Sequence, residues 1–250
     1  DENGKVVSST LYDQGIKLAE GIVDERGRKQ GPWKFFYADG SLKSKGSYKD
    51  DLKVGTWQYY FEDGSLEQEG RYNAGAADGE WDWYFNNGEI RRTEEFYNGL
   101  EDGMSIEYND TGAVIAQGEY VEGMKEGQWF LKVNDYREEG AYFEGLKTGP
   151  WRHYYLSNNT LSFEGSYESG KENGMHIYYF DNGNIKRRGE YKFGERNGIW
   201  ECFREDGSRV LTIEYLDGEE LKYNGKKIDY GRRYEKALEA EQKLKGREEN

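Results

Sequence analysis

The sequence predicts an all-β fold: tandem β-hairpins running as one elongated, twisted antiparallel meander, closed by a short C-terminal helix. Three observations carry this. Glycines recur at 31, 55, 79, 103, 127, 149, 174 and 198, a spacing near two dozen residues. Six of the seven tryptophans stand two positions after one of these anchors, at Trp33, Trp57, Trp81, Trp129, Trp151 and Trp200, and Ser105 and His176 take the two remaining slots. Apolar surface is concentrated in 22 Tyr, 11 Phe and 7 Trp, which suit a pleated sheet and bury large area per residue.

Each unit reads as one hairpin. Trp33 to Tyr37 is a first strand, Asp39-Gly40 a two-residue type I′ turn, and Leu42 to Tyr48 the returning strand. With that turn, Trp33 faces Gly46 and Gly31 faces Tyr48. In the second unit Trp57 faces Gly70. The same rule gives a slot of small residues at Gly118, Gly140, Gly165 and Gly189, each leaving room for a ring to lie across the strand. The short fifth unit keeps its register with a turn at Asn134-Asp135. The sixth does so with a three-residue loop of Ser157, Asn158 and Asn159. Pro32 and Pro150 follow anchors at strand starts, where a missing N–H matters least.

Links between units have their own turn glycines, so the chain meanders through roughly 18 to 20 strands, a ribbon on the order of 90 Å at ~4.8 Å spacing. Residues 1–230 form this hairpin-repeat sheet: an N-terminal half-unit with Gly15 and Gly21, eight repeats and a terminal hairpin at Asn224-Gly225. Residues 231–250 turn to Glu, Lys, Ala and Leu at helical spacing, a capping helix and tail.

The unit Gly-x-Trp-x-x-Tyr-Tyr-x-x-Gly followed by Leu-x-x-x-Gly-x-Tyr-x-x-Gly resembles the MORN repeat in its bacterial variant form. Residues 55–75 carry it nearly whole, in Gly55, Trp57, Tyr59, Tyr60, Gly64, Leu66, Gly70, Tyr72 and Gly75. The resemblance covers about residues 11–218. It implies a hairpin-repeat binding scaffold with no catalytic residue to carry over. Some bacterial members are antitoxin components, others resemble exported lipoproteins, and eukaryotic relatives are linked to membranes and protein partners.

Chemistry is sparse. His153, His176 and Cys202 fall in aromatic slots, but equivalent slots lie two strands apart, ~9.5 Å, too far to converge on one metal ion. Acidic pairs sit in links or strand exteriors. Hence no catalytic, cofactor or metal residue is expected, and the chain reads as non-enzymatic. A net charge of −14 opposes phosphate backbones, so nucleic acid is excluded as a partner, and membrane contact is expected only through a lipid anchor preceding Asp1.

The fourth unit breaks the aromatic row with Ser105, Glu107 and Asn109 on one face, beside Ile106 and Tyr108. Ser105, Glu107, Asn109 and Tyr108 are therefore the candidate partner-binding residues, a polar notch; repeat decay is the alternative. The function expected is a scaffold for a protein or peptide partner within a bacterial cell-envelope assembly. An antitoxin-like neutralising protein and a lipid-associated protein are the alternatives. Location is expected at the cell envelope or surface as an exported lipoprotein, with the cytoplasm as the alternative.

Overall fold

The computed structural model describes residues 8–228, so the expected helix over 231–250 lies outside the described residues. The chain divides into two compact units, one ending at Leu146 and one beginning at Lys147. The first holds β1 (Ser9–Asp13), β2 (Ile16–Val23), β3 (Lys29–Phe36), β4 (Leu42–Lys49), β5 (Leu52–Tyr60) and β6 (Leu66–Asn73). It continues with β7 (Ala76–Tyr84), β8 (Ile90–Tyr97), β9 (Leu100–Tyr108), β10 (Val114–Val121), β11 (Met124–Val133) and β12 (Tyr136–Phe143). Each of these strands pairs antiparallel with its neighbour in sequence. The second holds β13 (Leu146–Tyr155), β14 (Leu161–Glu168), β15 (Lys171–Glu172), β16 (Gly174–Tyr179) and β17 (Ile185–Lys192). After these come β18 (Glu195–Phe203), β19 (Arg209–Leu216), β20 (Glu219–Tyr223) and β21 (Lys226–Lys227). It too is an antiparallel meander, in which β15 and β16 both pair with β14.

Register follows the expected rule. Trp33 pairs with Gly46, Trp57 with Gly70, Ser105 with Gly118, Trp129 with Gly140 and Trp151 with Gly165. The turns that set it are different. At the first tip the Tyr37 N–H donates to Ser41 O and the Gly40 N–H to Tyr37 O, enclosing three residues, and Asp39 keeps a negative φ. This is a type I turn with a glycine bulge rather than the type I′ turn expected, and Asp39 Oδ1 accepts the Ser41 N–H to hold it. A second bulge between Phe35 and Phe36 brings the register back, so Trp33 still reaches Gly46. Likewise the sixth-unit loop contains four residues, 156–159, between the bonded pair Tyr155 and Thr160, one more than expected.

Type I′ geometry belongs to the links instead. Ala74-Gly75, Asn98-Gly99, Glu122-Gly123 and Glu144-Gly145 all have positive φ at both residues. Anchor glycines have a separate reason. Gly31, Gly55, Gly127 and Gly198 adopt φ between 62° and 70°, at bulges where the first strand of each unit meets the strand before it. Pro32 therefore lies inside β3, next to the Gly31 bulge, and Pro150 inside β13, after Gly149 with its φ of 62°, rather than at strand starts.

Candidate interaction surface

The bulge explains why Trp comes two residues after the anchor. There the indole N–H donates to a carbonyl of the preceding strand: Trp33 to Ile22 O at 3.0 Å, Trp57 to Ser47 O at 3.1 Å, Trp81 to Arg71 O at 3.1 Å and Trp200 to Glu190 O at 3.1 Å. The ring then lies flat over the glycine beside that carbonyl. A Cβ built on Gly46 would stand 2.2 Å from Trp57, and one on Gly70 would stand 2.0 Å from Trp81. The covered glycine is thus one strand back from the ring, not the register partner across the hairpin. Gly21, Gly118 and Gly189 lie in the same way under Trp33, Trp129 and Trp200.

Neighbouring rings and a cation complete the cover. Trp57 meets Tyr48 edge-on at 5.0 Å, and Lys53 Nζ sits 4.5 Å above it. Lys29, Lys125, Lys147 and Arg196 cap Trp33, Trp129, Trp151 and Trp200 from the same slot. The tryptophans of the repeat slot are consequently exposed by only 0 to 6%. On the opposite face, burial and the Glu69 carboxylate push the Tyr84 phenol up to about 12.

The expected notch is occupied by the chain itself. Glu94, on β8 of the third hairpin, stands in the glycine slot and Ser105, on β9 of the fourth, in the tryptophan slot, so the carboxylate fills the volume an indole has elsewhere. Ser105 Oγ donates to Glu94 Oε1 at 3.1 Å, and the Arg92 guanidinium pairs with the other oxygen. Glu94 is 2% exposed. Burial raises its pKa, against the opposing pull of Arg92 and Ser105. Glu107, across from Arg92, shares this face with Ser105. Tyr108 alternates to the other face. Asn109 is not in the notch: its Oδ1 accepts the N–H groups of Thr111 and Ala113 and shapes the tip turn, as Asp24 does for Arg26 and Arg28. Sequence reasoning missed Glu94, although its break in the glycine series was visible.

His176 plays the ring's part in the second unit. It lies over Gly165, with Nε2 2.9 Å from Ser166 O, and is completely buried among Phe163, Tyr167 and Tyr191. Burial lowers its pKa, so the ring is neutral with its proton on Nε2 toward the carbonyl, and Nδ1 is unpartnered. His153 meets Phe163 at a 50° tilt with centroids 4.5 Å apart, and Cys202 is half-buried opposite Leu211. Among the described residues no group of three or more His, Cys, Asp or Glu is placed to hold a metal ion.

Link turns form a second, outward feature. The Gly123 N–H donates to Glu101 O at 2.8 Å and the Gly145 N–H to Lys125 O at 3.0 Å, so each turn sits on the strand start of the previous one. Three consecutive turns of the first unit are flanked by apolar side chains: Tyr97 and Leu100, Val121 and Met124, Phe143 and Leu146, exposed by 42 to 62%. In the second unit the same backbone carries Glu168 and Lys171, then Lys192 and Glu195.

A covered aromatic ladder with side chains displayed at its turns defines a repeat scaffold. The family model described as MORN repeat variant matches residues 29–50, 53–74 and 172–193, the hairpins β3–β4 and β5–β6 of the first unit and the segment through β17 of the second. The chain therefore carries MORN-variant repeats at these positions. No curated protein matches it. Among solved structures, the chain is similar to one titled "Crystal Structure of TcdB2-TccC3-Cdc42", at 11% identity and a TM-score of 0.19, over 85% of this chain and 14% of that one. A Photorhabdus luminescens Tc holotoxin pore matches at 12% identity and a TM-score of 0.19, over 84% and 13%. The chain thus spans about a seventh of the length of these structures.

Proposed function

We propose that this chain is a non-catalytic scaffold whose hairpin repeats present side chains to a protein or peptide partner, as a subunit of a bacterial cell-envelope assembly. One observation carries the reading. Apolar side chains stand exposed at three stacked turns of the first unit, while rings in the repeat tryptophan slot of the ladder are covered. Contiguous exposed apolar patches on an otherwise charged surface mark places where another molecule sits. The envelope setting rests on the likeness of these repeats to those of exported lipoproteins. Acidity speaks against anionic lipid as the target, since like charges must first be overcome.

Affinity purification of the whole protein from its native source tests the reading. A partner recovered in constant ratio and lost from a Leu100→Glu/Met124→Glu chain supports it. A protein recovered alone at every salt concentration overturns it. Cell fractionation tests the location: recovery with the envelope is expected, and recovery wholly in the cytoplasm rejects that part.

A further inference from the structure

The exposed turns carry a second pattern that specifies the partner. Strand alternation puts Glu95, Asp102, Glu119 and Glu126 two residues inward from Tyr97, Leu100, Val121 and Met124, on the same face. An apolar row therefore runs beside carboxylates at its first two turns, while at the third the inward positions are Ala141 and Thr148. Glu95, Asp102 and Glu119 make no ion pair among the described residues. Among the described residues no other two consecutive links have a carboxylate at both inward positions. The inward positions are Ser47 and Val54 at the second link, Arg71 and Asp78 at the third, and in the second unit Ser166 and Asn173, Glu190 and Asn197, then Glu214 and Leu221, a single carboxylate at most.

Resting on the scaffold reading above, we infer that the partner's docking segment is an amphipathic helix with apolar anchors flanked by Lys or Arg, laid along the turns between Tyr97 and Leu146. Charge complementarity selects the sign. A second copy of this chain would set carboxylates against carboxylates, and an anionic bilayer would do the same. Backbone chemistry selects the helix. The turn N–H groups of Gly99, Gly123 and Gly145 are already bonded to the preceding strand, so the ridge offers side chains and no free strand edge. A helix, with its own backbone satisfied, meets side chains with side chains. Its advance of about 10.5 Å per seven residues also suits turns spaced two strands apart, about 9.6 Å.

The test is fluorescence anisotropy on the full chain with three labelled peptides of about 14 residues: a helical Leu/Lys peptide, a Leu/Glu counterpart and a Ser/Lys peptide of equal charge. The Leu/Lys peptide is expected to bind, and Leu100→Glu/Met124→Glu or, independently, Val121→Glu/Phe143→Glu to weaken it at least about tenfold. Phe193→Glu, at a second-unit turn, should leave binding unchanged. Equal binding of the Ser/Lys peptide, or indifference to both ridge pairs, overturns the inference. Binding of the Leu/Glu peptide at the ridge overturns the charge assignment while leaving the scaffold reading intact. Capture of anionic vesicles, or a dimer in sedimentation, that disappears with the ridge variants replaces the helix by lipid or by a second copy.

Discussion

The two units share one backbone solution and differ in what they hang on it. In both, an anchor glycine bulges the strand and a ring two residues later caps a carbonyl and lies over a small residue. The first unit departs from that rule at Glu94 and Ser105, the second only in residue type, with His176 in place of a tryptophan. Each departure is matched nearby. Where the slot holds Trp, a Lys or Arg usually caps it; where it holds Ser105 or His176, the cap position holds Glu101 or Glu172. Trp81 is the exception, with Ala77 there. The lesson is that the covered slot is a volume to be filled, with a charge on top that follows its contents.

The largest effect should come from filling that volume twice. Gly70→Ala puts a Cβ 2.0 Å from Trp81, whereas Gly165→Ala puts one 2.7 Å from the smaller His176 ring. We expect a loss of about 3 kcal/mol for the first and about 1 kcal/mol for the second by urea denaturation. Equal losses would break the comparison, because ring size would then not govern the slot. Next comes exchange of the two mid-chain residues. Ser105→Trp alone drives an indole into Glu94 and should cost about 2 kcal/mol, while Glu94→Gly/Ser105→Trp should recover most of it. Additive losses would mean that the two positions do not share one space.

Legibility of these features in the sequence followed their locality. The two-dozen period and the Trp–Gly register were readable because they rest on residue identity at fixed spacing. Turn type at Asp39-Gly40 was not, since the dipeptide suits either a type I′ turn or a glycine bulge, and two compensating bulges yield the same register. Which glycine a ring covers was hidden as well, because a ring on a twisted sheet can lean across either neighbouring strand. Asn109 looked like a face residue until the tip lost its usual Asp before Gly112, which is the signal that Asn109 shapes the turn. The apolar ridge escaped notice because its members are scattered along the chain and meet only when turns stack.

Acidification should move the two departures in opposite directions. The folded pKa of His176 lies below its usual 6.5, so as pH falls through 6.5 toward that value the unfolded chain takes up protons the folded chain refuses, and stability drops. His176→Phe should abolish that drop. The folded pKa of Glu94 lies above 4.5, so the folded chain takes the proton first and stability rises as pH falls through it toward 4.5; Glu94→Gln should flatten that rise. Midpoints in urea across this range check both, and slopes of the same sign would show that one burial has been misread.

The smallest effect belongs to the cation caps. Lys125 Nζ lies 4.1 Å from the Trp129 ring, and Arg196 5.0 Å from Trp200. Replacing Lys125 by Met keeps the aliphatic cover and removes only the charge, so the loss should be about 0.5 kcal/mol. Arg196→Met should cost about 1 kcal/mol, because it also removes the bond Arg196 donates to the Tyr215 hydroxyl at 3.0 Å. At Glu101 the sign reverses. Glu101→Lys places a cation where no indole waits, but it relieves the buried Glu94, whose pKa Glu101 helps to raise. That variant should therefore gain slightly at neutral pH and show a lower Glu94 pKa by carboxylate NMR. If it loses stability instead, the cap charge follows something other than the contents of the slot beneath it.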